Sequence, residues 1–75
     1  MANTVIIFGP AGCGKTRNAK ALQRFYGCNA IVDEWEDGDP VSPGALHLTI
    51  QQPTGRHRAI VASFATAIAA ATGEI

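Results

Sequence analysis

Seventy-five residues, of which 47% are hydrophobic, with six Lys+Arg against six Asp+Glu, describe one small globular domain (1–75) and exclude a disordered or collagen-like chain. A net charge of zero gives no strong nucleic-acid signal and argues against a membrane-surface binder, since both need a basic excess. Two cysteines are too few for the framework of a small secreted domain, and the longest apolar-rich stretch, residues 59–71, falls short of the ~20 residues that cross a bilayer. No basic region precedes a long apolar run at the N-terminus, so no signal peptide is evident and a cytoplasmic protein is expected.

A domain of this size buries only about 60% of the surface its unfolded chain exposes, so marginal stability is expected unless a ligand or partner adds to it. The charges are segregated despite their balance. Lys15, Arg17, Lys20 and Arg24 form a basic block, and Asp33, Glu34, Glu36, Asp37 and Asp39 an acidic one.

In chain order, residues 4–8 (TVIIF) are a β-branched apolar run bounded by Gly9 and Pro10, which predicts a buried strand of a parallel sheet. A glycine-rich turn follows, and a helical pattern starts at Lys15. Ala19, Leu22, Phe25 and Tyr26 share its apolar face, Arg17, Lys20 and Arg24 its polar one, and Gly27 ends it. Residues 30–32 are a second short strand, and residues 36–44 a loop. Leu46, Leu48 and Ile50 alternate with His47 and Thr49, which predicts a strand with one greasy and one more polar face, near a sheet edge. Residues 51–57 form another loop. The alanine-rich segment 58–72 favours helix, yet residues 59–62 read equally as a strand. The second reading is preferred: a strand, then a helix over 64–72 capped by Ser63 and closed by Gly73. That helix is apolar almost all round and so must be buried or meet a partner.

GPAGCGKT at residues 9–16 fits GxxxxGK[ST] in full, between a strand and a helix as that motif requires. A match this complete arises by chance in roughly a few chains per thousand of this length. Gly9, Pro10, Ala11, Gly12, Cys13 and Gly14 form a loop whose glycines let backbone N–H groups converge on an anion. The following helix aims its positive end, with Arg17, at the same point. Lys15 would bridge β- and γ-phosphates, and the Thr16 hydroxyl would ligate Mg²⁺. The spacing does not give GxGxxG, so a dinucleotide site is not supported.

These residues resemble the P-loop nucleoside triphosphatase superfamily, specifically over residues 4–26. More narrowly, the chain resembles small P-loop proteins, often phage- or prophage-encoded, that share a GPxGxGKT loop, an IVDEW-like strand and a GALxLT-like segment, here residues 9–16, 31–35 and 44–49. That group carries no assigned reaction to transfer. The superfamily resemblance implies a minimal α/β P-loop sandwich of two or three layers. It has a short, mainly parallel sheet, the helix after the loop and a C-terminal helix, with ATP or another nucleoside triphosphate and Mg²⁺ as cofactors.

Asp33 and Glu34, which end the second strand, look like an abbreviated Walker B of AAA-type ATPases, with Asp33 as the magnesium-side carboxylate and Glu34 as general base. Asp33 follows a strand expected beside that of residues 4–8. Thr49 and Gln51 occupy the place of the polar sensor strand, and Arg56 and Arg58 resemble the region of a trans-acting arginine finger. Nothing in residues 1–75 resembles the helical lid of those enzymes. Shikimate- and gluconate-kinase-like enzymes offer a competing resemblance, since their acid lies a similar distance from the lysine, but the second acid of their DxD pattern falls at Trp35. Cys13 reads as a small residue tolerated in the loop, Cys28 as a buried hydrophobe, and Trp35 as packing over the core. Cys13, Cys28, His47 and His57 lack zinc-site spacing.

Two functions stay open at this point: a slow ATPase or GTPase using Lys15, Thr16, Asp33 and Glu34, or a nucleotide- or phosphate-gated interaction module without turnover. Absence of Asn-Lys-x-Asp tilts toward ATP. So short a chain leaves little for a lid, base pocket or acceptor site, which makes self-association or a larger protein partner the expected complement.

Overall fold

Four strands and two helices follow one another as β1 (Val5–Phe8), α1 (Ala19–Tyr26), β2 (Ala30–Val32), β3 (Ala45–Thr49), β4 (Ile60–Ser63) and α2 (Phe64–Thr72). The computed structural model describes residues 2–12, 14–55 and 57–73. Every strand pair is parallel, and the spatial order is β2-β3-β1-β4. This is a small α/β protein with an all-parallel four-stranded sheet. No helix among the described residues is long and apolar enough to cross a membrane.

Successive residues of a strand face opposite sides of the sheet. Val5, Ile7, Leu46 and Leu48 therefore point together and pack with Ala19 and Leu22 of α1, Cys28 and Ala67 of α2 into one core. The first helix lies over β2 and β3, the second over β4 and β1, and the two touch. Both helices thus share one face, giving a two-layer arrangement. Burial pushes the Cys28 thiol pKa up, as suits a packing residue.

Ile6 and His47, which are register partners, point to the other face. No helix covers them. Trp35, with only 2% of its surface exposed, lies against His47 there. Its ring meets His47 edge-on at 5.7 Å and His57 at 5.4 Å, and its Nε1–H donates to the Pro40 carbonyl at 3.1 Å. His47 is fully buried and satisfied at both nitrogens: Nδ1 lies 3.0 Å from the Val5 carbonyl, and Nε2 accepts from the Ser42 N–H at 2.9 Å. An acceptor facing Nδ1 and a donor facing Nε2 hold the ring as the Nδ1–H tautomer.

Two expectations are overturned together. The strand of residues 45–49 is not at a sheet edge, and the strand before Asp33 is not beside β1; β3 lies between them. A strand inside a parallel sheet must be covered on both faces. All five residues of β3 are buried, whereas β2 has three residues and none buried, so β3 takes the interior and β2 the edge.

The first helix also begins later than its pattern, at Ala19 rather than Lys15. Residues 15–18 still form hydrogen-bonded turns, with Asn18 N–H to the Gly14 carbonyl at 3.0 Å and Ala19 N–H to that of Thr16 at 3.3 Å. The Asn18 side chain donates to the same Gly14 carbonyl, a local competition that keeps this stretch irregular. Phe25, expected on the buried face, is 49% exposed.

The preferred reading of the C-terminal segment holds. Ser63 caps α2 by accepting the Thr66 N–H at 3.2 Å, and Gly73 closes it in the left-handed conformation. The outward side of this helix is Ala65, Thr66, Ala70 and Thr72, small residues that present little apolar bulk. Ser63→Ala should cost about 1 kcal/mol and lower Tm by about 4–8 °C in a thermal melt. Ser63→Asp, which keeps an acceptor at the cap, should hold Tm near wild type.

Candidate functional site

The carboxyl ends of β1, β2 and β3 open on one groove of about 1220 Å³. In open parallel sheets ligands bind outside these strand ends. One wall is the loop after β1, with Ala11, Gly12, Gly14, Lys15, Thr16 and Arg17; the opposite wall is the turn from Asp33 to Asp37. The end of β3 and the chain after it, including Thr49 and Gln51, form the floor between them.

The loop departs from β1 only after Gly9 has extended the sheet by donating its N–H to the Thr49 carbonyl at 3.1 Å. Gly12 and Gly14 then take φ of 80° and 101°, which side-chain-bearing residues rarely adopt. At Gly14 space is short as well, because a Cβ there would lie 3.3 Å from the Asn18 amide nitrogen. Lys15 Nζ donates across the loop to the carbonyls of Gly9 at 2.7 Å and Pro10 at 3.1 Å. Cys13 lies outside the described residues.

On the facing wall, pairing between β2 and β3 is interrupted at Asp33 and Glu34 and resumes when Trp35 N–H donates to the Leu48 carbonyl at 2.8 Å. The interruption swings both acids out of the sheet. Asp33 accepts the Glu34 N–H through Oδ1 at 2.9 Å, and through Oδ2 the Thr16 hydroxyl at 3.4 Å. Glu34 has φ of 56°, the sole positive value at a non-glycine among the described residues, which stores about 1–2 kcal/mol of backbone strain. Lys15 and Arg17 thus face Asp33, Glu34, Glu36 and Asp37 across the groove. Among the described residues no three His, Cys, Asp or Glu side chains converge as a metal cage.

Of the two arginines expected as a trans-acting finger, Arg58 does not line this groove. Arg56 lies outside the described residues. Arg58 precedes the amino end of β4, where Ile60 pairs with Val5 at the start of β1 and donates its N–H to the Thr4 carbonyl at 2.9 Å. That is the opposite end of the sheet from the groove.

A further group escaped the sequence. Asp37 accepts the N–H and hydroxyl of Thr54, at 2.9 and 2.8 Å, and His57 Nε2 lies 3.0 Å from its other oxygen. This clasp ties the chain after β2 to the chain after β3. Asp37-Gly38 and Thr54-Gly55 each signal a turn, but nothing local pairs the two turns. The Thr54 N–H, then its hydroxyl and His57, lower the Asp37 pKa to about 2.

A carboxylate whose folded pKa is depressed contributes stability above its unfolded pKa and loses it as pH falls through the folded one. The clasp should therefore be complete above about pH 4 and lost toward pH 2. Melts of wild type and Asp37→Asn from pH 7 to 2 should differ most above pH 5 and converge near pH 2. A constant difference across that range would show that the Asp37 charge is not the agent.

No family model matches the chain, and no curated protein or solved structure is significantly similar to it.

Proposed function

We propose that the chain binds a Mg²⁺–nucleoside triphosphate, ATP foremost, at the 9–16 loop, and hydrolyses it slowly when alone. The observation that carries this reading is the meeting of the Thr16 hydroxyl with the Asp33 carboxylate, 17 residues apart in sequence and 3.4 Å apart in space. They meet beside a loop that Gly12 and Gly14 curl through positive φ. The donor chemistry fits: Mg²⁺ takes hard oxygens and is held by one or two protein ligands together with substrate phosphates and water. Two such oxygens, rather than a cage, suit a cation that arrives with its nucleotide. The resemblance of residues 4–26 to P-loop nucleoside triphosphatases points the same way.

Each residue then has a defined task. Backbone N–H groups of the loop bind phosphate oxygens. Lys15 exchanges the Gly9 and Pro10 carbonyls for phosphate oxygens. Thr16 and Asp33 hold the magnesium side. The Glu34 carboxylate, turned out of the sheet by its positive φ, takes a proton from a water in the groove. When bound, the Mg²⁺–triphosphate supplies the electrophilic phosphorus and neutralises its developing charge.

A second reading, a nucleotide- or phosphate-gated module without turnover, draws support from the lining of the groove. Among the described residues, Arg17 is the sole arginine lining the groove. Thermal melts with ATP and GTP, with and without Mg²⁺, examine both readings. At a ligand concentration of 100 Kd the expected gain is about 2.7 kcal/mol, or on the order of 10–20 °C in Tm. Lys15→Ala should abolish that gain. Glu34→Gln should keep it while phosphate release falls at least tenfold. Release at background at every protein concentration selects the module, and no Mg²⁺-dependent shift with either nucleotide sinks both readings.

A further inference from the structure

A second hollow, of about 490 Å³, adjoins the same loop. Phe8, Pro10, Ile50 and Phe64 make its wall mainly apolar, and Gln52 supplies a polar side chain. Three observations connect it to the groove. Ile50 and Gln52 line both hollows, so the two are continuous over a shared ridge. Gly9 and Pro10, which open the loop, face the hollow, while Ala11, Gly12 and Gly14 face the groove. The Phe64 ring reaches the loop itself: its Cζ lies 3.8 Å from where a Cβ on Gly14 would stand.

Ile50 is also the most exposed of the large hydrophobic residues in the described chain, at 60%. A β-branched apolar side chain on a ridge between a polar groove and an apolar hollow gains by being covered.

We infer that this hollow receives the nucleobase of the nucleotide whose phosphates occupy the 9–16 loop. The inference rests on the phosphate-site reading above. The base stacks on Phe64 and is covered by Ile50, and the Gln52 amide, both donor and acceptor, meets its polar edge. A ligand that is flat and apolar on its faces, polar at its rim, and tethered to an anion in the adjoining groove fits this place. A nucleobase meets all of these conditions, whereas an apolar side chain of a partner lacks the tether.

Calorimetric titration of the full chain with Mg²⁺–ATP and with Mg²⁺–tripolyphosphate separates base from phosphate. ATP should bind about tenfold tighter or more, as base–aromatic stacking provides, although tripolyphosphate carries the greater charge density. Phe64→Ala should reduce ATP to the tripolyphosphate level and leave tripolyphosphate unchanged. Ile50→Ser, at an exposed position that spares the core, should do the same in part. Equal affinities for the two ligands in the wild type, or variants that weaken both alike, overturn the base site alone. Failure of both ligands to bind overturns the phosphate-site reading and this inference with it.

Discussion

A strand that alternates leucine with histidine and threonine can lie inside a sheet only if both of its faces are covered and its polar groups are satisfied. Residues 45–49 meet that condition, and much of the chain is arranged to let them. The two helices cover Leu46 and Leu48 on one side. On the other, His47 finds the Val5 carbonyl and the Ser42 N–H, and Trp35 closes over it. Among the described residues no buried side-chain nitrogen or oxygen lacks a hydrogen-bond partner. Leaving such a group unpaired costs about 1–3 kcal/mol, and truncating a core tryptophan about 3–5. Against a total stability on the order of 4–11 kcal/mol for this length, either defect is a large fraction.

The interior position of β3 also builds the groove. Since β2 is pushed to the edge, the turn carrying Asp33 and Glu34 stands across β3 from the loop of β1, and the space between those two walls is the groove. Each wall is fixed by its own bonds: Gly9 to Thr49 and Asn18 to Gly14 on one side, Trp35 to Leu48 and Asp37 to Thr54 on the other. Thr16 and Asp33 meet where the walls approach. On the proposed reading a bound Mg²⁺–nucleotide joins them more firmly, with a gain comparable to a good part of the native margin.

What could be read from the sequence was local. The strand at 5–8, the cap and stop of α2 at Ser63 and Gly73, and the glycine pattern of the loop are each written in a few neighbouring residues. Strand order was not, because the burial of His47 depends on Trp35 and Ser42, and nothing in a period-two pattern says that a polar residue will be covered. Asp33 is legible as a candidate site residue, but its strand pairs with β3 and not with β1 as expected. The Asp37–Thr54–His57 clasp joins two turns about 17 to 20 residues apart, each legible as a turn and silent about the other.

The position of Trp35 has a spectroscopic consequence. It is the chain's single tryptophan, so the intrinsic fluorescence of the folded protein comes mainly from one place. That indole is buried against the imidazole inside the sheet layer and against the imidazole held by Asp37, and its backbone follows directly on Glu34. Its emission is therefore sensitive to core packing, to the state of His57, and to movement of the acidic wall. The protein carries an optical reporter at the junction of its fold and its groove, readable without any label.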